Sequence, residues 1–159
     1  MDPSDFSARL TGEYVPEVSG LHRVGVFSAG VSRVFVDGVL VADAWTGWKP
    51  RRTFFEEGCD EVVGEVMLEA GRAHQVVVEF AAKAAAGLGF AGLRFGIGLP
   101  MGDAEIAEAV LVAAAADRAV VFVGRKAEWD TEGSDLPDMR LPGRQGAVLH
   151  SEVMQDGTA

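Results

Sequence analysis

Over roughly its first two-thirds the chain alternates apolar and polar positions with a period of two, the pattern of strands with one buried face. In "GLHRVGVFS", Val24 and Val26 share one face. "VSRVFVDGVLVADAW" holds two β-branched runs around Asp37-Gly38. Asp-Gly between such runs predicts a two-residue hairpin, because both turn positions must accept positive φ. "EVVGEVMLEAGRAHQVVVEF" repeats the pattern: Val62, Val66 and Leu68 lie opposite Glu61, Glu65 and Glu69, and after Ala70-Gly71 the residues Val76, Val78 and Phe80 alternate with Gln75 and Glu79. "FAGLRFGIGL" closes the series. Short alternating strands separated by glycine turns predict a mainly β architecture, an antiparallel sandwich or barrel from about residue 6 to residue 99.

The period changes at "LPMGD". Pro100 and Gly102 punctuate, Asp103 is the expected N-cap, and Ile106, Ala109, Val110 and Ala113 follow at helical spacing, with Glu105 and Glu108 elsewhere on the wheel. "AVVFV" (Ala119 to Val123) is then expected to be a strand buried on both faces, the kind found in parallel sheets covered by helices. Parallel neighbours have to arrive through crossovers. The chain offers one helix and one such strand, and the "GRQGAVLHSEVMQ" that follows reads as the start of a second helix. The expected organisation is therefore a β-sandwich domain over residues 1–101 and a partial α/β segment over residues 102–159.

Charge narrows the partners. Of 159 residues, 24% are charged, and the formal net charge is −10, which disfavours nucleic acid and anionic membrane surfaces as partners. Cys59 is the single cysteine, so no intrachain disulfide can form, which fits a reducing compartment. "MDPSDFSARL" lacks the layout of a signal peptide, and no apolar run approaches the roughly 20 residues of a membrane helix; a cytoplasmic location is expected.

Candidate chemistry concentrates in two places. "EWDTEGSDLPDMRLPGRQ" carries Glu128, Asp130, Glu132 and Asp135 just beyond the expected strand's C-terminal end, the edge where open α/β sheets hold ligands. A carboxyl group held partly out of water there has a raised pKa and can act as a general acid. The same composition also describes a solvated acidic loop. "AWTGWKPRRTFFEEG" carries Trp45, Trp48, Phe54 and Phe55, whose rings can stack on sugar faces or plug one end of the sandwich. His22, His74 and His150 lie far apart with no metal-ligand spacing, Cys59 has acidic neighbours that disfavour a thiolate, and no two aspartates are adjacent. No calcium, zinc or other cofactor site is expected. "GLGFAGLRFGIG" lacks the Gly-Lys-Ser/Thr ending of a phosphate loop and reads as β-turns.

"FSARLTGEYVPEVSGLHRVGVFSAGVSRVFVDGVLVADAW" and "GCDEVVGEVMLEAGRAHQVVVEF" resemble the protective-antigen domain, the β-sandwich module named after the anthrax toxin component. "IAEAVLVAAAADRAVVFVGRKAEWDTEGSDLPDMRLPGRQ" resembles the start of the C-terminal α/β-sandwich domain of glycoside hydrolase family 3, in which some β-glucosidases carry an inserted protective-antigen domain. The two matches occur in that family's order. The resemblance implies that Glu132, in Glu132-Gly133-Ser134-Asp135, is the general acid/base, and that Leu141, Pro142 and Gln145 form the turn that follows. Leu136 stands where the family pattern has arginine. The resemblance also implies a retaining mechanism whose nucleophile sits on a separate (β/α)8 barrel, missing here, so that the chain reads as part of a larger β-glucosidase acting on a carbohydrate substrate, inactive alone. Trp45, Trp48, Phe54 and Phe55 then become candidates for a wall of the substrate pocket. A carbohydrate-binding module without catalysis and a protein-interaction segment are the rival expectations.

Overall fold

The computed structural model describes residues 5–83, 89, 91–125 and 138–146. It divides into two compact units, residues 1–100 and 101–159.

The first unit is an antiparallel β-sandwich. A four-stranded sheet has the order β1 (Ser7–Tyr14), β6 (His74–Ala81), β3 (Val31–Val36), β4 (Val39–Ala44), and a three-stranded sheet the order β5 (Val62–Leu68), β2 (Gly20–Ala29), β7 (Gly92–Gly98). The period-two reading holds in detail. Val24, Val26, Val34, Val36, Val76 and Val78 all point into the core and expose 7% of their surface or less. β-Branched side chains suit this pleated, two-layered environment, and each one fully buried stabilises the fold by about 1.5–3 kcal/mol. The predicted hairpin is a two-residue turn, with Val36 paired to Val39 and positive φ at Asp37 (49°) and Gly38 (79°).

Asp37 also fastens that turn to its neighbour. Its carboxylate accepts the Nδ1 proton of His74 at 2.8 Å and the Gln75 amide at 2.9 Å. Nε2 of the buried His74 ring accepts the Glu69 amide at 3.3 Å, so the ring bridges the two turns through both of its nitrogens. The His74 and Gln75 hydrogen bonds hold the Asp37 carboxyl below its ordinary value.

The two long sides of the sandwich differ. On one side β4 and β5 come so close that a Cβ on Gly64 would run into the Val41 carbonyl. On the other, the inward faces of β1 and β7 stand apart around a cleft of ≈ 360 Å³ lined by Leu10, Tyr14, Val76, Val78, Phe95 and Ile97.

The second unit holds α1 (Asp103–Ala114). Its N-cap is Gly102, one residue earlier than the expected Asp103, and the Glu105 carboxylate accepts the Gly102 amide at 2.7 Å. Arg144 forms an ion pair with Asp103. No residue of α1 is buried. The expected strand Ala119–Val123 does not form: these residues make no ladder, and Val120 and Phe122 are 79% and 93% exposed. The apolar run is as the pattern describes, but a strand exists only where neighbours accept its N–H and C=O groups. Among the described residues of this unit no strand lies beside it. The second helix expected from "GRQGAVLHSEVMQ" falls mostly on residues 147–155, outside the described residues.

Candidate functional site

Two places bear on the expected chemistry, one in each unit. In the sandwich, the long β4–β5 connection carries all four aromatic candidates. Its start is set by Asp43, whose Oδ1 accepts the amides of Trp45 (2.8 Å) and Thr46 (3.0 Å). The Thr46 amide is the main cause of this carboxyl's lowered pKa, with Trp45 contributing. Trp45 lies half-buried under the Arg33 guanidinium, 4.9 Å from the ring centre, and Arg33 also bonds Glu79 at 2.7 Å. Arg33 drew no attention in the sequence, although its position two residues before Phe35 on one strand face places it over that ring as well, at 5.3 Å.

Trp48 serves the fold. It packs against the core, and its indole N–H donates to the Ser28 carbonyl at 3.2 Å, with Lys83 Nζ 4.4 Å from the ring centre. The same Ser28 carbonyl accepts the Cys59 amide, and the buried Cys59 sulfur accepts the Ser28 amide at 3.4 Å. Phe54 and Phe55 then part company. Phe54, Phe55 and Glu56 have φ of 51°, 56° and 70°, a run of left-handed residues that disfavours ordinary side chains. Thr53 holds the run closed by accepting the Gly58 amide on its carbonyl and donating its hydroxyl to Cys59. The turn sends Phe54 inward, 5.6 Å from Phe27 and against Gly92, while Phe55 stays 72% exposed. Backbone of this kind persists where the surroundings over-determine it, often at binding loops.

In the second unit, Glu128, Asp130, Glu132, Asp135 and Leu136 lie outside the described residues, whereas the residues up to 125 and from 138 to 146 on either side are described. Gly124 and Gln145 pair twice: the Gly124 amide donates to Oε1 of Gln145 at 2.8 Å, and Nε2 of Gln145 donates to the Gly124 carbonyl at 2.9 Å. The side-chain amide thus offers the backbone what a neighbouring strand would. Next to it, Nη2 of Arg125 donates to the carbonyls of Asp138 (2.9 Å) and Arg140 (2.7 Å). Leu141 and Pro142 lead into a turn at Gly143, with φ of 64°. Of the residues carried over from the family pattern, Gln145 therefore has a defined task. Arg125 has one that no pattern pointed to: a lone arginine after a glycine carries no signal without the carbonyls that fold back onto it.

His22 and His74 are buried on strand faces, whereas His150 is outside the described residues. Among the described residues no cluster of three or more His, Cys, Asp or Glu is placed to hold a metal ion, and no helix is long and apolar enough to cross a membrane.

Comparison with known proteins adds the context. A β-glucosidase of Rhizobium radiobacter is 48% identical over 153 residues, covering 95% of this chain and 19% of that protein. A probable β-glucosidase J of Aspergillus fumigatus is 39% identical over 147 residues, covering 86% and 17%. The crystal structure of the β-glucosidase from Kluyveromyces marxianus in complex with glucose superposes with a TM-score of 0.81 at 28% identity, over 94% of this chain and 18% of that one. This chain thus spans about a fifth of the length of these relatives. The PA14 domain model matches residues 1–110. With seven antiparallel strands in two facing sheets among the described residues, and that match across the sandwich, the chain belongs to the PA14 domain family.

Proposed function

We propose that this chain works as part of a retaining β-glucosidase that removes terminal β-D-glucosyl or related residues, to which it contributes the acid/base loop and one wall of the substrate pocket. The observation that carries this reading is the extent of the similarity. At 48% identity it covers 95% of the chain, so it takes in the loop region as well as the sandwich.

In this reading Glu132 protonates the glycosidic oxygen as the bond to the anomeric carbon breaks, and a carboxylate on the opposite face, supplied from outside these 159 residues, forms a glycosyl ester. Glu132, now ionised, takes a proton from water as the water's oxygen attacks the anomeric carbon. The ester bond breaks, the sugar leaves and both carboxyl groups are restored. The two groups stand about 5–5.5 Å apart in such enzymes. Glu132 supplies only one of them, so this chain alone turns over no glycoside. Phe55, exposed at the tip of its left-handed turn, and Trp45 beneath Arg33 are the rings offered to a sugar; Trp48 and Phe54 brace them from within.

The test replaces the matched segment of the Rhizobium radiobacter enzyme with this chain and assays aryl β-glucosides. The hybrid is expected to be active, and Glu132→Gln is expected to lower kcat/KM about 10²–10⁴-fold for a poor leaving group such as phenol, with much less loss for dinitrophenol, which departs without a proton. Equal losses with both leaving groups would refute the acid/base assignment. The isolated chain is expected to show no saturable turnover.

A further inference from the structure

β1 is an edge strand, and the hydrogen bond at its start shows which of its backbone groups lie bare. Ala82 donates its amide to the Phe6 carbonyl at 2.8 Å, so Phe6 turns its backbone toward β6. Along an antiparallel pair, residues alternate between exchanging hydrogen bonds and turning their N–H and C=O away. The register runs unbroken from Ser7↔Ala81 to Tyr14↔His74. Ala8, Leu10, Gly12 and Tyr14 therefore bond β6, whereas Ser7, Arg9, Thr11 and Glu13 direct their backbone groups to the other side. Among the described residues β6 is the only strand beside β1. Natural edges are guarded by proline, bulges or lysine, and β1 carries none of the three. Arg9 is 68% exposed and reaches Glu79 only at 3.7 Å, because Arg33 already holds that carboxylate at 2.7 Å. Behind the edge, Leu10 and Phe95 stand nearly half exposed at the open cleft, and a Cβ on Gly12 would meet no atom within 4 Å.

We propose that β1 is a docking edge for a second copy of this chain, the two strands running antiparallel about a two-fold axis through Thr11. In such a self-complementary pairing, residues equally far from the axis on either side oppose each other. Arg9 then faces the partner's Glu13, Glu13 faces the partner's Arg9, and Thr11 meets its own counterpart. These are the residues whose N–H and C=O point outward, so each becomes a hydrogen-bonded pair. Opposite charges and Thr–Thr pairs directly across two strands are stabilising. On the cleft side, Leu10 lies beside the partner's Gly12 and Tyr14 beside the partner's Ala8, a large side chain against a small one each time. An axis at Leu10 would instead set Leu10 against Leu10 and Arg9 against Thr11, so charge and volume select the same register. The four-stranded sheets of the two copies then join through β1 into one. A contact built on one strand is small, in the range of transient interfaces, so the dimer forms at high concentration.

Sedimentation equilibrium of the purified chain from about 10 μM to about 1 mM tests this, in about 0.15 M salt to screen the net charge of −10 on each copy. The parent is expected to pass from monomer to dimer across that range. Arg9→Glu and Glu13→Arg each set like charges opposite one another at both ends of the pairing, and each is expected to weaken dimerisation at least about tenfold. An equimolar mixture of the two variants restores both opposite-charge pairs and is expected to dimerise as the parent does. Thr11→Pro removes an amide that faces away from β6 and is expected to abolish the dimer with little change in the sandwich's Tm. Amide exchange reads the pairing residue by residue. Raising the concentration is expected to slow exchange at Arg9, Thr11 and Glu13 and to leave Leu10 and Gly12, already bonded to β6, unchanged. A chain still monomeric at about 1 mM would overturn the proposal and leave the edge to a strand of another protein. Self-association indifferent to the charge reversals, or removed only by Phe122→Asp, would overturn it as well, by placing the contact on the second unit.

Discussion

Val34 and Val120 are the same side chain in two situations: Val34 is sealed between two sheets at 0% exposure, and Val120 stands 79% exposed on a run of backbone with no ladder. The sandwich satisfies itself. Its strands pair, its turns are pinned by Asp37 and His74, and its apolar faces meet across one core. The second unit has equally apolar sequence, but its described residues do not bury it: α1 has no buried residue, and Leu111, Val112, Val120 and Phe122 are all at least 67% exposed. Local hydropathy states that a segment is to be buried, but not against what.

The comparison is easiest to break in the core. Val34→Ala should lower the stability of the sandwich by about 2–3 kcal/mol, the transfer term plus the cavity left behind, seen as a fall in Tm of about 10 °C or more by circular dichroism. Gly64→Ala comes next. Its methyl group meets the Val41 carbonyl at the closed side of the sandwich, and forced overpacking of this kind costs about 1–3 kcal/mol. A smaller effect follows from acid. The His74 and Gln75 hydrogen bonds hold the folded pKa of Asp37 below the ordinary 3.8, so its contribution is fully present above that value and is lost as the pH falls through the lower folded one. Asp37→Asn should therefore cost stability at pH 7, and its difference from the parent should shrink on titration below about pH 4. Smallest of all, Leu111→Ala and Phe122→Asp should leave the sandwich's Tm within about 2 °C, since neither residue is buried; Phe122→Asp should instead raise the concentration at which the chain stays monodisperse. A drop in sandwich Tm with either would mean that the two units share more than sequence.

How much could be seen in advance follows the same division. Strands β2 to β7 were legible because their inward and outward residues alternate over a buried face. β1 was not, because Leu10, Gly12 and Tyr14 on its inward face are too few and too varied to show a period. The Asp37-Gly38 turn was legible from residue type, while the left-handed run at Phe54 to Glu56 was not, because nothing in "FFE" marks positive φ. Ala119–Val123 was expected as a strand because its composition is that of one, and it fails as a strand because hydrogen-bond partners are not a property of the segment. In the site, Gln145 was visible through the family pattern; Arg125 needed the fold, since its acceptors are 13 and 15 residues away.

The unequal sides of the sandwich give its motions a direction. β4 and β5 touch through backbone at Gly64, leaving no side chain there to loosen, whereas β1 faces β7 across an open cleft. Thermal breathing should therefore work like a book held at its spine: β1 and the outer edge of β7 lift first, and β4 and β5 part last. Amide exchange should record this as a gradient across the sheets. A protease acting on the native state would find the amino-terminal strand well before the hairpin at Asp37.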